Sequence, residues 1–315
     1  MTDSSLARER ERTHGTDAAS PNTGGIDAVP AGLVSDDPRT VEYGTGGRRL
    51  AYAEYGAPDG APVVFLHGTP GSRLLGALFD EAARAAGTRV LAPDRPGFGR
   101  SSDWQGRRPP DAPAWVAPLL ADAGVERAHV VAFSGGAADA LALGAERPDL
   151  VERVDLVSGA PAPSVAAATP RLQRFLGRLA EATPRLLGAA LRGQWRLARH
   201  TDPSSVLAQY TDDPDAVPAE AAEIVREDFL EALGRSRNGA VTELAWIADG
   251  WGVSPTDVAC PVGLWHGDGD ANVPVADAER LCDRLPDADL TVLDGDHLTT
   301  LLAVRSRGFD IAAGG

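Results

Sequence analysis

Four short segments of this chain hold residue types suited to nucleophilic chemistry, and each follows an apolar run. In Val130-Val-Ala-Phe-Ser-Gly-Gly-Ala-Ala138 a β-like run ends at Ser134 and a stretch of small residues begins. A serine there sits on a tight strand-to-helix turn, and small neighbours at Ala132 and Gly136 let strand and helix approach closely. Such a turn exposes the hydroxyl and aims backbone N–H groups and a helix N-terminus at it. The same serine would also serve as an ordinary helix N-cap. In Val63-Val-Phe-Leu-His-Gly-Thr-Pro-Gly71 the run stops at His67 and a Gly-containing loop follows. That loop can turn the Thr69 amide toward a developing oxyanion, with Gly135 as second donor; it would equally be a plain strand-to-helix turn. His67 precedes the loop and reads as structural. Trp265-His-Gly-Asp-Gly-Asp-Ala-Asn-Val-Pro274 offers two carboxylates after a strand, Asp268 and Asp270. Leu293-Asp-Gly-Asp-His-Leu-Thr299 places His297 after the last run, and the chain has only 6 histidines.

Elements must carry these residues. Apolar runs occur at 63–66, 90–92, 129–133, 154–157, 262–265 and 290–293, with a hairpin signal around Gly44-Thr-Gly-Gly47 joining strands at 40–43 and 49–54. Short runs, apolar throughout and separated by helical stretches, indicate a mostly parallel sheet covered on both faces. Helices are predicted at 74–86, 115–123, 137–145 and 277–285, with His297 in a loop. The strand–helix rhythm breaks between Val157 and Val262. There Leu172, Phe175, Leu176 and Leu179 follow helical spacing, and further helices are predicted at 185–198, 219–233 and 238–248. The expected organisation is a poorly ordered tail at 1–38, a first core part at 39–160, a helical cap insertion at 161–255 and a second core part at 256–315.

These motifs together resemble the α/β-hydrolase superfamily, in its capped serine hydrolase branch, over Thr40 to Leu302. His67-Gly68 with Gly71 is similar to the family's oxyanion loop, and Asp94-Arg-Pro-Gly-Phe-Gly-Arg-Ser101 to its D-x-x-G-x-G-x-S turn. Ala132-Phe-Ser-Gly-Gly136 resembles the G-x-S-x-G nucleophile elbow. His266-Gly-Asp-Gly-Asp270 resembles the acid loop, and the match falls on Asp270 rather than Asp268. His297 matches the terminal histidine, in the family order Ser, Asp, His. The resemblance implies a doubly wound α/β sheet with Ser134 as nucleophile, Asp270 as acid and His297 as base. It implies no cofactor and no metal. Ser134 speaks against the dehalogenase and epoxide hydrolase branches, which use a carboxylate nucleophile. Two departures stand out: Ala132 where the elbow has its first Gly, and Asp296 where Gly commonly precedes the histidine. Asp296 could face solvent, cap the next turn or tune His297.

Composition narrows the rest. A net charge of -15 is the wrong sign for a general nucleic-acid surface and disfavours anionic membranes. The two cysteines, Cys260 and Cys282, could pair, but nothing in their spacing demands it, and they read as free thiols. No Cys/His cluster has metal-ligand spacing, and the glycines lack dinucleotide-binding spacing. Neither a membrane span nor a signal-peptide core is expected, so cytoplasmic residence is the default. Monomer and homodimer are both compatible. The expected partner is a small-molecule substrate, a moderately apolar carboxylic ester or lactone, with Leu172, Phe175, Leu176, Trp195, Tyr210, Phe229, Trp246 and Trp251 as candidate pocket walls. Alternatives are acyl transfer, C–C hydrolysis or cyclisation on the same fold, or a non-catalytic small-molecule receptor.

Overall fold

A computed structural model describes residues 38–166 and 171–306. The expected tail lies almost wholly outside the described residues. Eight strands form one sheet: β1 (Arg39–Tyr43), β2 (Arg48–Gly56), β3 (Ala61–Leu66), β4 (Thr88–Pro93), β5 (Ala128–Phe133), β6 (Val151–Val157), β7 (Val262–Gly267) and β8 (Ala288–Leu293). Their spatial order is β1-β2-β4-β3-β5-β6-β7-β8. The pairings β1–β2 and β2–β4 are antiparallel, and every pairing from β4 to β8 is parallel. The helices are α1 (Asp80–Ala85), α2 (Pro113–Asp122), α3 (Ala137–Glu146), α4 (Arg171–Ala182), α5 (Pro184–Ala198), α6 (Ser204–Leu207), α7 (Ala219–Gly234), α8 (Asn238–Asp249), α9 (Val275–Cys282) and α10 (His297–Ser306).

The central strands are apolar throughout because they bury both faces. Alternate residues enter different cores, as the two-residue period of a strand requires. Val64, Leu66, Val130, Ala132, Leu156 and Leu264 face one core with residues of α2, α3 and α9. Val63, Phe65, Val131, Phe133 and Val157 face the other with residues of α1, α7 and α10. The result is a doubly wound, three-layer arrangement. From β3 the chain moves to β4 on one side, and then crosses back to β5 on the other. The strand order reverses there, and a crevice opens at the carboxyl ends of the two strands.

Two helix expectations need correction. The span from Arg73 to Phe79 is a 3-10 helix, and α1 starts only at Asp80. The Ser72 hydroxyl accepts from the Leu74 amide and starts the tighter turn. His297 is the first residue of α10 and not part of a loop. Asp296 begins that helix, its Oδ1 accepting from the Thr299 amide at 2.9 Å, which is how an N-cap satisfies an orphan donor. Between β6 and β7 the described residues form helices and no strand. Both thiols are free, and no described helix is long and apolar enough to cross a membrane.

Candidate active site

Strand pairing brings the first two segments together. β3 and β5 are neighbours with Leu66 in register with Ala132, so the loops leaving their carboxyl ends start side by side. Ser134, one residue past β5, has φ of 51°. That left-handed backbone costs a non-glycine residue on the order of 1–3 kcal/mol and persists where surroundings enforce it. Here they do. A Cβ at Gly136 would stand 2.6 Å from the Leu66 carbonyl oxygen, so α3 can start against β3 only with glycine there. A Cβ at Gly135 would stand 2.3 Å from Thr69 Oγ1, which places the loop after β3 directly against the residue after Ser134. The Ser134 carbonyl accepts from the Ala160 amide at 3.1 Å, tying the turn to the end of β6. Ala132 is fully buried in both pairings of β5, so its methyl is accommodated.

The last two strands deliver Asp270 and His297. Asp268 is exposed and Asp270 is buried, so only Asp270 reaches the interior. Asp270 Oδ1 accepts from the amides of Asn272 and Val273, each at 2.9 Å. Asp270 Oδ2 accepts from His297 Nδ1 at 2.7 Å. Burial works to raise the Asp270 carboxyl, but the His297 hydrogen bond and charge and the Val273 amide outweigh it and hold it below the usual range. With Nδ1–H committed to a carboxylate, Nε2 is the nitrogen left to take a proton. Two aromatic rings neighbour the imidazole, Phe133 tilted with centroids 4.9 Å away and Tyr210 stacked at 6.4 Å. The Ser158 hydroxyl donates to the His297 carbonyl at 3.2 Å and holds the start of α10 to the end of β6. Asp296 proves to be a cap with a second task, its Oδ2 accepting from Thr211 Oγ1 and the Asp212 amide.

Ser134, His297, Thr69 and Gly135 all line one cavity of about 380 Å³. Of the aromatic and aliphatic candidates, Leu176, Tyr210, Trp246 and Trp251 line it too. Phe175 does not; it is 61% exposed on α4. Phe229 lies in the core beneath, and Trp195 donates its indole N–H to the Leu230 carbonyl. The Leu172 side chain falls outside the described residues. His67 is structural, as its position suggested. Its Nε2 accepts from the Arg95 amide at 3.0 Å, so Nδ1 donates to the Gly68 carbonyl at 2.8 Å. Burial, with the Arg95 charge, pushes its pKa well below the ordinary value.

Sequence reasoning missed three groups. His266 donates to the Val273 carbonyl at 2.8 Å and lies 3.5 Å from Asp270 Oδ2. Glu243 on α8 lines the cavity and bonds Thr69, Arg95 and Arg107. Asp228 on α7 accepts from the Ser72 amide at 2.6 Å and the Ser72 hydroxyl at 2.8 Å. Glu243 and Thr69 are 174 positions apart, and no local pattern signals such a contact. Among the described residues no group of three or more His, Cys, Asp or Glu side chains could hold a metal ion.

The arrangement has relatives. The family model described as alpha/beta hydrolase fold matches residues 61–303. A pimeloyl-[acyl-carrier protein] methyl ester esterase from Aromatoleum aromaticum is 30% identical over 66% of this chain and 80% of its own length. A haloalkane dehalogenase from Mycolicibacterium paratuberculosis is 33% identical, but the match spans only 35% of this chain and 38% of that relative. Among solved structures, an esterase from Thermogutta terrifontis superposes with a TM-score of 0.66 at 21% identity, over 88% of this chain and 97% of that one. An enol-lactonase from Burkholderia xenovorans superposes with a TM-score of 0.64 at 19% identity, over 86% and 98%. With the doubly wound sheet, the strained serine at its switch point and a family match across most of its length, this chain belongs to the alpha/beta hydrolase fold family.

Proposed function

We propose that the protein is a serine hydrolase that cleaves a small, moderately apolar carboxylic ester or lactone through an acyl-enzyme on Ser134. The observation that carries this reading is the buried 2.7 Å pair of His297 and Asp270 on the same cavity as the left-handed Ser134. His297 Nε2 takes the Ser134 proton as Oγ attacks the acyl carbon. The tetrahedral oxyanion is held by the amides of Thr69 and Gly135. As the bond to the leaving oxygen breaks, His297 returns the proton to it, and the alcohol departs. Water then attacks the acyl carbon, giving its proton to His297, and the second collapse reprotonates Ser134 and frees the acid. Asp270 keeps the imidazole in the right tautomer and stabilises its charged form.

The relatives' names support the substrate class: a methyl ester esterase, an esterase and an enol-lactonase. The helices of residues 161–255 act as a cap, since Leu176, Leu191, Leu244, Trp246 and Ile247 supply much of the cavity's apolar wall. The dehalogenase likeness brings no dehalogenation here, because the elbow holds a serine where that branch needs a carboxylate.

A fluorophosphonate and intact mass measurement test the reading. Wild type should take one adduct, S134A none, and H297A should react far more slowly. Hydrolysis of p-nitrophenyl butyrate and of simple lactones should vanish in S134A. A folded wild type that takes no adduct would refute the acyl-enzyme. Product analysis with an added alcohol separates hydrolysis from acyl transfer.

A further inference from the structure

The cap and the oxyanion loop are joined by buried polar bonds, and one of them bears on catalysis. The Thr69 hydroxyl donates to Glu243 Oε2 and accepts from Arg95 Nη2 at 3.1 Å. Its proton and a lone pair are therefore both committed. Arg95 Nη2 also donates to the Gly68 carbonyl at 2.9 Å, pinning the preceding peptide. Arg95 Nη1 bridges Asp139 Oδ2 at 2.9 Å and Glu243 Oε1 at 2.7 Å. Arg107 repeats the bridge, reaching Asp139 Oδ1 at 3.2 Å and Glu243 Oε1. Two guanidinium groups and two carboxylates thus balance in charge. Three of the four side chains, Arg95, Arg107 and Asp139, are fully buried, and Glu243 is 3% exposed. Asp139 belongs to α3, the helix that follows Ser134. Glu243 belongs to the cap.

The bonds converge on the loop side chain that touches the elbow, since Thr69 Oγ1 lies where a Cβ on Gly135 would intrude. We infer that Glu243 is a positioning residue: by holding the Thr69 hydroxyl it orients the Thr69 amide toward the reacting carbonyl, so the oxyanion hole is complete only when α8 of the cap is seated. This rests on the acyl-enzyme reading above. A loop free to shift by an ångström costs roughly a hundredfold in rate even when no catalytic atom is removed. Loss of an oxyanion donor costs about a hundred- to a thousandfold. The effect belongs to the transition state, because the ground-state carbonyl makes little use of those amides.

The test uses the full chain with p-nitrophenyl butyrate as substrate and an alkyl trifluoromethyl ketone as inhibitor, whose adduct with Ser134 places an oxyanion in the hole. T69V exchanges the hydroxyl for a methyl group of similar size. It should lower kcat by about ten- to a hundredfold, leave KM within about twofold, and weaken the ketone by the same factor as kcat. T69S should recover most of that loss. E243Q also weakens the Arg95 and Arg107 ion pairs, so its loss of kcat should equal or exceed that of T69V, and the double variant should fall short of the product of the two single losses because the Thr69 bond is common to both. Should E243Q fail to fold, T69V and T69S decide the matter alone. A folded T69V with wild-type kcat and ketone affinity would overturn the positioning role, as would a loss confined to KM. Fluorophosphonate labelling of wild type separates the two levels. An adduct with an unaffected T69V sinks only this inference, whereas no adduct sinks the parent reading and this one with it.

Discussion

In the proposed mechanism, Ser134, Asp270 and His297 divide the work by environment. The serine is bent into a left-handed turn, the aspartate is buried and kept ionised by amide and imidazole donors, and the histidine is oriented by that aspartate. D270N should retain the fold and lower kcat by about ten-thousandfold, the order seen when a triad acid becomes an amide and the imidazole takes the wrong tautomer; steady-state kinetics beside circular dichroism check this. G136A should fold poorly or not at all, since the added methyl would stand 2.6 Å from a backbone oxygen that cannot move aside cheaply; soluble yield and thermal unfolding would show it. Asp228 makes a pH prediction. Burial, against the Ser72 hydrogen bonds, pushes its carboxyl up to about 8. Between the ordinary carboxylate value and about 8 the folded chain holds a proton that the unfolded chain lacks. Stability from this group is therefore unpenalised at acid pH, falls as pH rises through that window and is lowest above it. Asparagine cannot ionise, so the unfolding temperature of D228N should decline less from pH 5 to pH 9 than that of wild type.

At the scale of elements, the strands that carry the site were legible because a buried parallel strand must be apolar on both faces. The runs 63–66 and 129–133 fall within β3 and β5. The ends were less legible. The stripe starting at Leu74 reads as regular helix, but its first half is a 3-10 turn capped by Ser72, with Gly76 set where a Cβ would meet Tyr55 and Ala92. His297 looked like a loop residue because Asp294 and Gly295 precede it, and the capping role of Asp296 was only one of several options. The grip of Glu243 on Thr69 had no sequence signal, because tertiary packing alone brings α8 to the loop. The cap residue can be tested. D296A should lose about 0.5–2 kcal/mol of stability and lower kcat by loosening the first turn of α10, which carries His297. D296N keeps an N-cap acceptor and should fall between D296A and wild type in both thermal unfolding and turnover.

Across the whole molecule, charge shapes what the cavity can accept. Among the described residues that line it are Glu243 and Asp277 but no arginine or lysine, in a chain of net charge -15. A free carboxylate on the substrate would be desolvated with no arginine or lysine among the described lining residues to pair it. A dimethyl dicarboxylate should accordingly exceed its monomethyl half-ester in kcat/KM by at least about tenfold; equal rates would show that the substrate's far end stays in solvent. The topology also has a consequence in time. Ser134 and the Thr69 loop sit among strands completed by Val157, whereas Asp270 and His297 arrive with β7 and β8, after the whole segment 158–261. During synthesis the serine's half of the sheet emerges first, and its exposed β6 edge must wait for β7. Long-range parallel pairing of this kind is slow, because loop closure precedes any contact that rewards it. The enzyme should therefore be born structured but unreactive: in refolding from denaturant, secondary structure should return before fluorophosphonate labelling does.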